Sequence, residues 1–548
     1  AVNYVQVTGA ATGARPTISM QGSDSNIDLG LQTKGTGEFI FKNGAGGIAF
    51  GITSTNANPT NLISAKGVGS GSAPSISAVG TDTNIDLAVT PKGTGALVAQ
   101  ASDGGVTINA RGANAVDLST NRANPINVAS GAFSVITGGQ SNTSAYFNTF
   151  VGAGVYNLSN GTYSSVVGGF GNIANGYASV SVSGNSNTAS GYYGFIGSGF
   201  TNSTTSSTAV TTQSGTMNGT TAVTLSGSNA SIKVGQYITG TSIAGDTYVA
   251  AISGTSLTLS KNASGSSTST LSFYTPHGVV VGGGNNQATG SYSFIGGGGD
   301  AGTAGNRNVA SGDYSVVTGG WKNVASGNGS FIGGGGYLSG SAYGNTASGQ
   351  NAIVVGGIQN TTSGQPSFIG GGYNNTANGV NSVIVGSNNG TTRSIDGFNA
   401  FPASNGPIAG ASGVQQSGLL ILGRQTTDAT ATVLTSNSSA AGTTNQVILP
   451  NNSAYFVRGT IIAGVTGAGN TSSWDFKGAI KRGANAASTT LVGAGITANL
   501  IAQDAGAATW AVSITADTTN GGLKVTVTGQ AATTIRWVCE VETTEMTY

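Results

Sequence analysis

Glycine fills 93 of 548 positions, against about 7% in average proteins. Charged residues make up 7% and the net charge is +1, which excludes a strongly basic nucleic-acid binder and a charge-rich disordered chain. A helical protein is excluded because Gly, Ser, Thr and Asn are poor helix formers, and collagen because Gly has no three-residue period.

What remains is an all-β chain of several domains. Cys539 is the only cysteine and His277 the only histidine, so neither a disulfide within the chain nor a Cys-based metal site is expected. No apolar run approaches the roughly 18 residues of a membrane span. No basic stretch precedes an apolar core at the start, so no signal peptide is expected.

Residues 1–130 hold one clear repeat. Pro16–Gly37 (PTISMQGSDSNIDLGLQTKGTG) recurs as Pro74–Gly95 (PSISAVGTDTNIDLAVTPKGTG), 58 residues on. Its alternating apolar residues and Gly, Thr and Asp punctuation predict short strands and turns. Asp24–Asp28 and Asp82–Asp86 begin like a calcium loop. Leu29 and Leu87 stand where its Gly belongs, and Gly35 and Gly93 where its Glu belongs, so turn-capping Asp and Asn are expected and no metal.

A second repeat fills 131–202 and 277–392. A Gly anchor recurs every 15 residues from Gly139 to Gly199, then from Gly283 to Gly372 at spacings of 15 or 22, with Ser387 in the last turn. Three residues past most anchors sits an Asn, such as Asn142, Asn157, Asn172 and Asn187. In the two longer turns it is Asn308 and Asn345, displaced by seven. Insertions confined to one corner indicate a solenoid whose corner faces solvent, with the Asn amides stacked as a ladder.

The strand before each anchor alternates. Phe150, Phe195, Phe294, Phe331 and Phe368 are each followed two residues later by Gly, whereas Val or Ile at the same place is followed by Val or Thr. Volume on that face is thus held constant, as a close-packed interior requires. The column between them, including Ile136, Val151, Ile196 and Ile332, points the other way and is also apolar. A thin coil has one interior, so the second face predicts an identical chain as partner. Twelve turns at about 4.8 Å would stack to roughly 58 Å.

Turns such as NVASGDYSVVTGG (Asn308–Gly320) resemble the head repeats of trimeric autotransporter adhesins. That resemblance implies a trimeric parallel β-roll.

Residues 203–276 are Ser/Thr-rich with alternating strands and predict a small β module standing off the solenoid. Residues 393–418 are rich in Gly, Pro, Ser and Asn and read as a neck. Beyond it, 419–548 alternates with period two, as in Trp510–Val512–Ile514 and Ile535–Trp537–Cys539–Val541, with an Asn520-Gly521 hairpin signal. An antiparallel β-sandwich follows. Segments such as NQVILPNNSAYFVRGTIIAG and WDFKGAIKRGANAASTTLVG look like the C-terminal domain of tailed-phage tail fibres. The N-terminal GSDSNIDLGLQTKGTG is also similar to stretches in phage fibres.

These resemblances imply an elongated homotrimeric tail fibre of the virion tail. Its N-terminal part would attach to baseplate or tail proteins, and its C-terminal tip would bind a host glycan or outer-membrane protein. A bacterial trimeric surface adhesin and a glycan-depolymerising tailspike are the alternatives. Catalysis looks poorly supplied: the solenoid holds Asp300, Asp313 and Asp396 at its margin and no Glu, where glycan cleavage needs two carboxylates about 5–10 Å apart. Asp300 and Asp313 flank one extra loop and read as solvated loop acids. The protein is therefore expected not to be an enzyme and to need no cofactor. His277 reads as an edge residue, and Cys539, Trp474, Trp510 and Trp537 as core. The receptor contacts proposed from the protruding loops are Asp300, Arg307, Tyr337 and Tyr343.

Overall fold

The computed structural model describes residues 3–34, 39–42, 48–52, 61–66, 75–98, 111–119, 124, 126–204, 209–234, 236–244, 247–274, 278–338, 341–403, 406–467 and 469–548. Among these, every regular element is a strand apart from three short 3₁₀ turns. The chain divides into two compact units, Ala1–Thr90 and Pro91–Tyr548.

The first unit is built of antiparallel hairpins. Asn3–Thr8 pairs with Thr17–Gly22, and 58 residues on Asn61–Lys66 pairs with Ser75–Gly80. The repeat read in the sequence is thus the second strand of a hairpin that recurs whole. Asp24 accepts a hydrogen bond from the Asn3 side chain at 2.7 Å, in keeping with a turn acid. Gly35–Gly37 and Pro74 lie outside the described residues.

The second unit opens with the solenoid. Its main ladder is parallel and runs from Leu97–Val98 through Val116–Asp117 and Val135–Ile136 to Val383–Ile384 and Asn399–Pro402. It begins upstream of the first Gly anchor, in early coils that lack the glycine spacing. A second parallel sheet, including Ile173–Ala174, Thr188–Ala189 and Thr376–Ala377, lies past the Asn corner of each coil. The core between the sheets sets Ile136, Val151, Ile196 and Ile332 with Ala174, Ala189, Ala310 and Ala347, all fully buried.

The Phe/Gly and Val/Val columns therefore face out, not in. Val281 and Val355 are 46% and 47% exposed. Their constant volume has a local cause. A Cβ on Gly152 would sit 3.4 Å from the Phe150 ring and 2.2 Å from the Val167 carbonyl, and Gly197, Gly296, Gly333 and Gly370 repeat the arrangement. Each ring covers the bare Cα two residues on. Gly152→Ala is expected to lower stability by about 1–3 kcal/mol through this overlap, read as a fall in thermal midpoint against Gly356→Ala, whose Cβ would meet no atom within 4 Å.

The anchors are glycine for a conformational reason. Gly154, Gly169 and Gly184 have φ of 94° or 95°, which residues bearing a Cβ adopt only at a cost. Ser387 adopts φ 85° in the closing coil. The Asn column does not line a solvated corner: Asn142, Asn172, Asn187 and Asn202 are buried. Each turns inward because backbone groups at the corner need partners. Asn157 N–H donates to Asn142 Oδ1 at 3.0 Å, and the next coils repeat the bond.

The insertion is a closed barrel of six strands between Thr211 and Tyr274, with its own core of Leu257, Leu271, Phe273 and neighbours. It leaves the solenoid register intact: Phe195 pairs with Val279, and Asn286 N–H donates to Asn202 Oδ1 at 3.0 Å.

At the far end the ladder turns antiparallel. Asn399–Pro402 pairs with Gln415–Thr426, which pairs with Ile535–Thr547, then Ser453–Val465 and Thr471–Arg482. A second sheet of Thr432–Val433, Val447–Ile448, Ala511–Asp517 and Gly522–Thr528 packs across one core. This is the expected sandwich. Asn520-Gly521 lies in the turn joining Ala511–Asp517 to Gly522–Thr528. Part of the stretch read as a neck is thus ordered strand, continuous with the solenoid.

Candidate functional site

The two seven-residue insertions form two loops that share one corner. In the first, Asp300 Oδ1 accepts from Gly302 N–H at 2.8 Å and Oδ2 from Asn306 Nδ2 at 3.0 Å. The Asn306 bond, then the Gly302 bond, hold its carboxyl below the usual range. Arg307 Nε donates to the Ala304 carbonyl at 2.5 Å, so its guanidinium ties down its own loop. In the second loop, Tyr337 and Tyr343 are 53% and 38% exposed.

Between the loops lies a corner the sequence reading passed over. Lys322 N–H donates to the Asn306 carbonyl at 2.9 Å, and Trp321 meets Tyr337 edge-on at 4.9 Å. The four proposed contact residues are thus carried by neighbouring loops with a half-buried Trp321 between them. Its signal was present, since Trp321 directly follows anchor Gly320 and strand alternation gives it no buried place. Asp300 and Asp313 are held by different partners, Asp313 accepting from Ser291 N–H at 3.1 Å.

The other singled-out residues fall elsewhere. Trp474, Trp510 and Trp537 are buried in the sandwich core, where Trp474 stacks on Trp537 and Trp510 meets it at a tilt. Cys539 is buried there too, and burial pushes its thiol well above the ordinary range. His277 lies outside the described residues.

Two further surfaces carry site chemistry. Aromatic rings run along the solenoid corner: Phe133, Phe147, Tyr163, Tyr177 and Tyr192, reaching Tyr237 of the barrel, with centroids 4.7–5.9 Å apart. On the outer face of the sandwich, a depression of about 380 Å³ is lined by Arg458, Asp475, Lys477, Asn499, Glu540 and Glu542. Asp475 and Glu540 both pair with Thr460, from opposite sides. They stand two strands apart, about 10 Å between backbones. Arg458 forms an ion pair with Glu542.

No protein family matches the chain, and no curated protein is similar to it. Among solved structures it is similar to the tailspike of Acinetobacter baumannii bacteriophage Fri1, described as a capsular polysaccharide depolymerase. Identity is 9%, over 79% of this chain and 70% of that one, with a TM-score of 0.18. The tailspike of Acinetobacter baumannii phage AM24 is 9% identical over 80% and 68%, with a TM-score of 0.16. These scores are too low to align residues or to carry a mechanism.

One expectation is corrected: that the protein is not an enzyme conflicts with the description of the first of these neighbours as a depolymerase, and it is not kept. The expectation counted acids in the solenoid alone. The carboxylates of Asp475, Glu540 and Glu542 were left out, and they gather on one sheet face because cross-strand pairing brings distant residues together.

Proposed function

We propose that the chain is a receptor-binding protein of a phage tail, acting as a homotrimer that engages polysaccharide on the host surface. The observation that carries this reading is the second apolar face of the solenoid. Columns such as Phe195, Val281, Phe294, Ile353, Val355 and Val385, each at least 36% exposed, recur coil after coil on a chain with 7% charged residues. A continuous apolar stripe of this kind is buried most simply against copies of itself. The resemblance of the repeats to trimeric adhesin heads supports three copies. The resemblance of both end regions to phage fibres supports the virion tail, with the N-terminal hairpins attaching to tail proteins. Three copies raise effective concentration, so weak glycan contacts suffice.

The test has two readouts. Native mass spectrometry is expected to give three times the chain mass, and a single chain sinks the trimer. Purified capsular and lipopolysaccharide preparations are then incubated with the protein, and bound glycan and new reducing ends are measured together. Binding with released ends assigns depolymerisation. Binding without them assigns adhesion, and the absence of any binding overturns the reading.

A further inference from the structure

We propose that the cleft between the inserted barrel and the solenoid is an oligosaccharide-binding site, where a pyranose ring lies on Tyr314 and sugar hydroxyls bond to Asp313, Asn328 and Ser291. The inference rests on the polysaccharide reading above and gives it a place.

The barrel departs after Asn202 and rejoins ahead of Val279, and its residues 230–234 line a cleft with the coils that follow. Two hollows of about 590 and 630 Å³ share Ala230, Lys233, Asp313 and Asn328. Their remaining lining mixes Ser, Thr, Asn and Gln with apolar patches such as Val210, Ile232 and Val234 and the backbone of Gly290 and Gly312. One Lys and one Asp offset each other, with Lys233 Nζ 4.0 Å from Asp313 Oδ2. Such a lining suits a neutral ligand rich in hydroxyls.

At the rim, Tyr292 and Tyr314 stack with centroids 5.3 Å apart and planes 6° apart. They are 41% and 59% exposed. Both occupy a left-handed corner position, at φ 57° and 58°. The fold requires that backbone conformation in many coils, but not that side chain. Gly329, Asn351 and Asn381 fill equivalent corners at lower conformational cost. Phe133, Tyr163 and Tyr193 put aromatic rings at this corner in other coils, and at the cleft two successive coils carry Tyr. The electron-rich face of such a ring attracts the polarised C–H bonds of a sugar.

The polar groups have capacity to spare. Asp313 Oδ1 accepts from Ser291 N–H, while Oδ2 stands beyond hydrogen-bond distance of Lys233. Ser291 is 2% exposed, and its hydroxyl has no hydrogen-bond partner. Other unpartnered serines, such as Ser179, Ser315 and Ser330, sit two residues further along their coils, in an interior column. Ser291 lines the cleft.

The experiment uses the full chain on an array of bacterial capsular and O-antigen polysaccharides, followed by calorimetric titration with a glycan it binds. Tyr314→Ala and Asp313→Asn are each expected to weaken binding about tenfold or more. Tyr314→Phe, which keeps the ring, is expected to retain affinity within about threefold, and Tyr373→Ala, remote in the sequence from the cleft, to match the unaltered protein. Unchanged affinity in both Tyr314→Ala and Asp313→Asn overturns the site and leaves the polysaccharide reading standing. Failure of the unaltered protein to bind any arrayed glycan overturns that reading, and the site with it. Thermal midpoints equal to that of the unaltered protein separate lost contact from lost fold.

Discussion

An Asn172→Ala protein loses on the order of 3 kcal/mol of local stability, because one amide serves four bonds. Asn172 Oδ1 accepts from the Asn187 backbone N–H at 3.0 Å and from its side chain at 3.1 Å. Asn172 Nδ2 donates to the carbonyls of Gly168 and Gly184, both at 2.9 Å. The Gly184 carbonyl keeps the Phe170 N–H. The Asn187 amide and the Gly168 carbonyl lose these bonds, each at about 1–3 kcal/mol. Asn175→Ala, at an exposed place three residues on, is expected to stay within about 0.5 kcal/mol. Asn172→Asp separates the roles, since a carboxylate still accepts from Asn187 but donates nothing to Gly168. Solenoid coils couple chiefly to their neighbours. Faster amide exchange is therefore expected in the coils anchored by Gly169 and Gly184 and not in the barrel strands Thr211–Asn218 and Ser266–Tyr274. Unchanged exchange at Asn187 would refute the assignment.

The same Asn column shows how far the sequence could be read. Its spacing identified the solenoid and the corner where insertions enter. Periodicity, however, says that a residue recurs and not which way it turns. The side chains face inward because the corner backbone needs partners inside. The Phe–Gly pairing was legible as a constant volume, but its face was assigned to the interior. Which of two apolar faces is enclosed depends on the second sheet. That sheet is written in short stretches such as Ile173–Ala174 and Thr376–Ala377, too brief to stand out. Contact residues were legible where a loop protrudes, as for Tyr337. They were hidden where distant stretches meet. Lys233 and Asp313 are 80 residues apart in number, and the sandwich carboxylates Asp475 and Glu540 are adjacent only through Thr460.

Removing Arg393 unfastens the sandwich from the end of the solenoid. Arg393 stands just past the last Gly-rich coil, at φ 49°, and forms an ion pair with Glu545 of the final strand. Its guanidinium also donates to the Gly413 carbonyl at 2.9 Å and lies 5.5 Å from the centre of the Tyr455 ring. The pair is well buried, with side chains 11% and 1% exposed. Arg393→Met leaves Glu545 charged and enclosed, with the Thr543 hydroxyl donating at 2.7 Å. The expected loss is about 3–5 kcal/mol. A second variant, Arg393→Met with Glu545→Leu, removes both charges and is expected to recover most of it, because a buried pair replaced by apolar groups is often neutral or better. Denaturant unfolding followed by tryptophan fluorescence reads the domain directly, since three of the four tryptophans lie in its core. A loss below about 1 kcal/mol in the single variant, or no recovery in the double, would show that the backbone pairing of Asn399–Pro402 with Gln415–Thr426 holds the junction without the ion pair.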